Sequence, residues 1–263
     1  RFLSDHDFGG AGVLAVDADD AMAVFEDLGD QTLLVEIRKN PNSTRHLYRK
    51  VLEHLADLQQ RGTPLAIGGG CNEACDRVFS SEDLLSETAY FSHRYLAQKC
   101  GYSTETVEAC NEVFLALAGA VDDQPKKLMH RDFQSTNIML TNGLVRLVDV
   151  QGMRLGPRGY DVASLLRDPY ADLSENMIDD LIGDWAAMVG LDQHEARYEV
   201  TLAGVQRSMQ ALGAYAFLTR IKGKKAFRQW YGPGLKHLKS GITAAESFGG
   251  WADQLQPLKN IIE

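Results

Sequence analysis

The chain has 263 residues, 44% of them hydrophobic and 24% charged, with a formal net charge of −9. That is the make-up of a globular protein with one large domain or two modest ones. No run of about 18 apolar residues occurs, so no membrane-spanning helix is expected, and the negative balance argues against nucleic acid or an anionic membrane as main partner while suiting a cationic substrate. In chain order, Phe2 to Asp7 reads as the end of a helix, and Gly9, Gly10 and Gly12 mark a loop. Val13–Asp17 and Ala21–Glu26 read as two short strands about a turn at Asp17-Ala18-Asp19-Asp20, and Asp27-Leu28-Gly29-Asp30 as a linker. A helix follows, capped by Asn42, Ser43 or Thr44, with Leu47, Val51, Leu55 and Leu58 on one stripe. Helices are predicted at Glu82–Lys99 and Thr104–Ala120. The period then shortens. Leu128–His130, Ile138–Leu140 and Val145–Val148 read as strands, with Thr141-Asn142-Gly143 as a hairpin turn. Helices return at Tyr160–Arg167, Ser174–Val189, about His194 to Leu218 and about Gly234 to Ser247.

The first residues, Arg1-Phe2-Leu3-Ser4-Asp5-His6, lack a signal-peptide core. Of the four cysteines, Cys71 and Cys75 make a C-x-x-x-C pair, but no second pair or histidine cluster completes a zinc site. Reduced thiols and a cytoplasmic location are the expectation. Gly68-Gly69-Gly70 is not followed by Lys-Ser/Thr, so it reads as a flexible loop and not as a phosphate-binding one.

The most specific segment is His130-Arg131-Asp132-Phe133-Gln134-Ser135-Thr136-Asn137, followed by an apolar stretch and then Val148-Asp149-Val150-Gln151-Gly152. It resembles the H-R-D-x-x-x-x-N catalytic loop and the metal-binding D-F-G aspartate of kinase-fold phosphotransferases. Phosphoryl transfer asks for an acceptor hydroxyl held in line and for positive charge on the phosphates. One carboxylate can take the hydroxyl proton, and an amide with a second carboxylate can hold a metal. Asp132, Asn137 and Asp149 supply those groups in that order. Magnesium suits such a set, because it accepts one or two protein oxygens and completes its shell with phosphate and water. His130 reads as structural, holding the loop through a bond to backbone.

With Gly156-Pro157-x-x-Tyr160-Asp161-x-x-Ser164-Leu165, these segments resemble the aminoglycoside phosphotransferase family, which also includes choline kinases and bacterial sugar kinases. Phe25-Glu26-Asp27-Leu28-Gly29-Asp30, Glu87-x-x-Tyr90-Phe91 and Arg207-x-x-x-Ala211-Leu212-Gly213 are similar to its branch of N-acetylmuramate and N-acetylglucosamine anomeric kinases. The resemblance implies an α+β, protein-kinase-like fold: residues 1–30 as a truncated small lobe and hinge, and 31–263 as a large, mainly helical lobe. It implies ATP and magnesium, Asp132 as catalytic base, and Asn137 and Asp149 as metal ligands. Backbone groups of Glu26, Asp27 and Leu28 would face the adenine, and Asp161 would support the catalytic loop. Glu87, Gln151 and Arg207 are candidate acceptor ligands. The implied acceptor is a small molecule, an amino sugar first and an aminoglycoside or choline-type cation second. A pseudokinase that only binds is the rival reading; a hydrolase lacks a G-x-S-x-G signature.

The start departs from the family. Gly9-Gly10-Ala11-Gly12 lies too close to the hinge to be the phosphate-covering loop, and the nearest downstream lysine, Lys39, follows the hinge. The expectation is that about 50 to 80 residues bearing that loop and its lysine belong ahead of Arg1. Gln134 stands where many relatives carry His or Lys.

Overall fold

The structure, a computed structural model, describes the backbone of residues 1–263 and every side chain except those of Asn72 and Glu73. Short helix α1 (Phe2–Asp5) leads into the antiparallel pair β1 (Val13–Asp17) and β2 (Met22–Phe25), both as the residue pattern predicts. Helix α2 (Leu33–Lys39) was not legible in advance; Thr32 caps it, its hydroxyl accepting from Val35 N at 3.1 Å. The predicted amphipathic helix is α3 (Thr44–Asp57), which runs on through wider, π-type turns at Leu58–Gly62. Its expected side-chain cap is not made. The Ser43 hydroxyl donates back to Asn40 O at 2.7 Å and Thr44 Oγ1 to Pro41 O, so a turn at Pro41–Ser43 competes for those groups.

Helix α4 (Ser81–Phe91) also continues in wide turns, to Cys100, and ends at Gly101 with φ +81°. The predicted helix over 104–120 is broken. Thr104–Glu108 forms one short helix with no fully buried residue, and α5 (Asn111–Asp122) restarts after the buried Cys110, turning Val113, Phe114, Leu117 and Val121 inward. Strands β4 (Ile138–Thr141) and β5 (Leu144–Leu147) form the expected hairpin, and Asn142 (φ +52°) and Gly143 (φ +75°) supply the positive angles of a type I′ turn. Strand β3 (Lys126–Met129) does not join them. It pairs with β6 (Arg154–Pro157), a strand the sequence did not disclose.

The rest is helical: α6 (Arg158–Leu166), α7 (Glu175–Val189), α8 (Gln193–Arg220), α9 (Tyr231–Ala245) and an unforeseen α10 (Trp251–Ile262). Helix α8 is the axis of the core and is buried on nearly all sides from Ala196 to Thr219, which is why its pattern lacks a clean stripe. It passes so close to α4 that a Cβ at Gly213 would lie 3.0 Å from Phe91 Cα and N. A larger residue there would force the two helices apart.

Candidate active site

The catalytic-loop segment is slung between α6 and the β4–β5 hairpin. Asp161, completely buried in the first turn of α6, accepts His130 N on Oδ2 at 2.6 Å and Arg131 N on Oδ1 at 2.9 Å. Burial pushes its carboxyl up to about 7, with the two amides pulling the other way. Arg131 has φ +78° and Asp149 φ +64°. Such left-handed conformations cost about 1–3 kcal/mol each in non-glycine residues and persist only where the surroundings dictate them. At Arg131 the surroundings are the two-oxygen grip of Asp161. The buried His130 ring, its pKa lowered by burial, is neutral, and Nε2 lies 2.9 Å from Val148 O. A neutral ring can bond a carbonyl only by donating, so Nε2 carries the proton. The imidazole therefore ties the loop to the residue before Asp149, the structural part read from the sequence.

The loop's interior bonds orient the remaining groups. Asp132 O accepts from Gln134 N at 2.9 Å and from Asn137 Nδ2 at 3.0 Å. With its NH2 turned to backbone, Asn137 keeps Oδ1 as an acceptor, to which the Thr136 hydroxyl donates weakly at 3.5 Å, leaving a second lone pair. Val148 N donates to Asn137 O at 3.1 Å, so the chain leading to Asp149 is stitched to the Asn137 turn. Asp168, buried after α6, accepts both N and Oγ of Ser135 on Oδ2.

Two cavities flank this loop. The larger, about 1320 Å³, has Glu26, Asp27, Leu28, Met139, Asp149 and Gln151 among its walls. The smaller, about 270 Å³, is lined by Asp132, Gln134, Arg207 and Gln210 and by the rings of Tyr170, Tyr215 and Phe227. Asp149 thus belongs to one and Asp132 to the other.

The residues singled out from sequence divide as follows. Glu26 is a strut: its carboxylate takes Arg146 Nη2 at 2.6 Å and Gly12 N at 3.1 Å, and the Arg146 contact lowers its pKa. Asp27 closes a local turn by accepting Gly29 N at 2.8 Å, and the Leu28 carbonyl accepts Thr141 Oγ1 at 2.8 Å. The hinge is therefore fastened to both hairpins while edging the larger cavity. Gln151 lies on that same cavity, donating to Asp149 Oδ1 at 2.5 Å, and so sits apart from Asp132. Glu87 lines neither cavity; it is buried, accepts the Tyr160 hydroxyl at 2.8 Å and pairs with Arg131 at 3.5 Å. Arg207 does line the smaller cavity and bonds Asp132 Oδ1 at 3.2 Å. Missed by the sequence reading were Arg146, Asp168, Gln210 and the three rings, and Ser164 was quoted without a role. Arg146, Ser164 and Asp168 act through tertiary partners that no local pattern announces, whereas Gln210 bonds Arg207 three residues before it on the same helix.

Among the described residues no group of three or more His, Cys, Asp or Glu stands together as a metal site. Magnesium does not need one. The Oδ1 of Asn137, which holds only the long Thr136 contact, and the carboxylate of Asp149 are hard oxygen donors of the kind it takes, so the residues present fit that ion. The chain's acidic balance is not repeated at the smaller cavity. Residues 201–245 hold Arg207, Arg220, Lys222, Lys224, Lys225, Arg228, Lys236 and Lys239 and no Asp or Glu. This stretch supplies Arg207, Gln210, Tyr215 and Phe227 to the cavity wall.

A family model described as the phosphotransferase enzyme family matches residues 2–199. The N-acetylmuramate/N-acetylglucosamine kinase of Neisseria meningitidis serogroup B is 30% identical over 234 residues, covering 82% of this chain and 65% of that protein. The protein of the same description from Pseudomonas aeruginosa is 26% identical, covering 82% of this chain and 63% of its own length. The chain thus spans just under two thirds of the length of these curated relatives. Among solved structures, a choline/ethanolamine kinase family protein from Mesorhizobium loti superposes with a TM-score of 0.64 at 15% identity, covering 99% of this chain and 82% of that one. An ADP-bound aminoglycoside phosphotransferase gives 0.58 at 13%, covering 90% and 78%. The fold is accordingly the protein-kinase-like α+β fold that the sequence led us to expect.

Proposed function

The chain belongs to the phosphotransferase enzyme family, and on that premise we propose that it transfers the γ-phosphoryl group of ATP to a hydroxyl of a small molecule, an amino sugar first among candidates. One observation carries the reading: Asp132 and Asp149 stand on either side of the β4–β5 hairpin, tied together through the His130–Val148 and Val148–Asn137 bonds, and each lines its own cavity. In the larger cavity the hinge residues Glu26, Asp27 and Leu28 would face the adenine. Residues 1–30, with their hairpin and hinge, then form one side of the cleft and 31–263 the other. Asn137 and Asp149 would hold magnesium, which when bound supplies positive charge to the phosphates. In the smaller cavity Asp132 would orient the acceptor hydroxyl and take its proton as the new O–P bond forms and the bond to the leaving ADP breaks.

The acceptor follows from the wall chemistry. Three aromatic rings beside two amides, two carboxylates and two guanidinium groups suit one sugar ring, with apolar faces to stack and hydroxyls to bond. The volume lies under the roughly 300–1,000 Å³ of drug-sized sites, which favours one ring over a many-ringed aminoglycoside. Arg167 and Arg207 on the wall offset Asp132 and Asp168, so the cavity holds no surplus of negative charge to draw a polycation. These features outweigh the overall negative charge, which by itself pointed to a cation.

ADP release should be measured with purified full-length protein, ATP and magnesium against N-acetylglucosamine, N-acetylmuramate, choline and an aminoglycoside. The expected result is turnover with the amino sugars and a product heavier by one phosphate. Nucleotide binding without turnover on any acceptor would replace this reading with the pseudokinase one.

A further inference from the structure

We infer that Arg207 is the positioning residue of the transfer proposed above, holding one oxygen of Asp132 so that the other is presented to the acceptor hydroxyl. The inference rests on that reading of the site. Among the described residues, Arg207 makes the one hydrogen bond received by the Asp132 carboxylate, Nη2 to Oδ1 at 3.2 Å. Asp132 is otherwise loosely held, its side chain 41% exposed where that of Arg207 is 11% exposed. A carboxylate on the wall of an open cavity has rotameric freedom that costs rate unless something removes it, and a misplacement of about 1 Å can cost on the order of 10²-fold.

The clamp is itself fixed. Arg207 Nε donates to Ser164 Oγ at 3.0 Å, across the packing between α8 and α6, and Nη1 donates to Gln210 Oε1 one turn along α8. Three of its five N–H bonds are thus spent in three directions, and the planar fork cannot turn without breaking all of them. Its surroundings explain why a cation stays at such depth. Glu87 on α4, Tyr160 and Asp161 on α6, Asp168 and Tyr170 after it, and Tyr215 on α8 all lie within its electrostatic reach. A lysine would keep the charge but could not make three bonds in one plane.

Steady-state kinetics of Arg207→Lys, Arg207→Ala and Gln210→Ala test the role, with methylguanidinium added to Arg207→Ala. Arg207→Lys and Arg207→Ala should lower kcat by roughly 10²-fold, with KM for ATP within about twofold of the parent. Gln210→Ala, which leaves the charge in place, should lower kcat by several-fold. Methylguanidinium should restore part of the kcat of Arg207→Ala and none of that of an Asp132→Asn control. A rise in KM for the acceptor at unchanged kcat would make Arg207 an acceptor ligand and overturn the inference. Parent-like kcat in Arg207→Lys and Gln210→Ala would also overturn it. Should Arg207→Ala fail to fold, the other two variants decide. Absence of turnover in the parent defeats the kinase reading, whereas a parental rate shared by the variants defeats only this inference.

Discussion

Both hairpins are antiparallel pairs of short strands, β1–β2 turning over four residues with a register shift and β4–β5 over two without one, and they live in opposite surroundings. In β1–β2 both faces are open: Leu14 is 68% exposed and Phe25 56%. In β4–β5, Ile138, Met139, Val145 and Leu147 are all buried. Local pattern made both hairpins and says nothing of this difference, because exposure is decided by what packs on a strand. The consequence is a division of labour. The open hairpin is fastened by a few bonds, chiefly the Glu26–Arg146 pair and the Leu147 N to Gly9 O bond at 2.7 Å. The buried hairpin is rigid and carries Asn137 and Asp149 at its two ends, where position has to be kept.

The contrast can be broken hardest at the loop that enters the buried hairpin. Asp132→Asn should lower kcat by about 10²–10⁴-fold with little change in Tm, since a carboxamide fits the same space but cannot take the proton. Near-normal turnover would refute the assigned base. Next comes the packing of that hairpin. Ile138→Ala should cost about 2–5 kcal/mol in urea unfolding, because a fully buried side chain is removed from beside the loop. Its kcat should fall along with its stability, as Asn137 precedes it directly.

Asp161 links that rigidity to pH. Its folded pKa is raised from 3.8 to about 7, chiefly by burial. Between those values the folded protein holds a proton that the unfolded chain has released, so the group's contribution to stability is greatest below about pH 4. It falls as pH rises toward 7. Each unit corresponds to about 1.4 kcal/mol. The stability difference between the parent and Asp161→Asn should therefore shift against the parent as pH is raised through this window. Parallel curves would show that the two amides keep Asp161 at its ordinary pKa.

What the sequence disclosed follows the reach of each interaction. The catalytic segment was legible because Asp132, Asn137 and Asp149 lie within one short stretch at a recognisable spacing, although Asp161 and Asp168 hold its shape from outside. The I′ turn at Asn142-Gly143 was legible for the same reason. Strand β6 was hidden, since Arg154–Pro157 becomes a strand by pairing with β3. Helix α10 carries Pro257 within it, which weakened its helical signal. The break at Ala109–Cys110 has no glycine or proline to mark it. At the site, Glu87, Gln151 and Arg207 were picked out as candidate acceptor ligands; Gln151 lies on the larger cavity, Glu87 lies behind Arg131, and Arg207 lines the smaller cavity while bonded to Asp132 and Ser164. These are relations among α4, α6, α8 and the loop, at separations no local pattern spans.

The smallest expected effect lies in the open hairpin and is the most direct test of the contrast. Val24→Thr exchanges a methyl group for a hydroxyl at a position 55% exposed. It keeps the β-branched shape that the strand favours. Urea unfolding should therefore change by no more than about 0.5 kcal/mol, as for surface substitutions generally. Val145→Thr makes the same chemical change on the buried hairpin, where it places a hydroxyl in an apolar setting, and should cost about 1–3 kcal/mol. Amide exchange should follow the same order. The β1–β2 amides should exchange through local opening and the β4–β5 amides only near global unfolding. Equal costs for the two substitutions, together with equal protection, would mean that something packs on β1 and β2 as firmly as the core packs on β4 and β5.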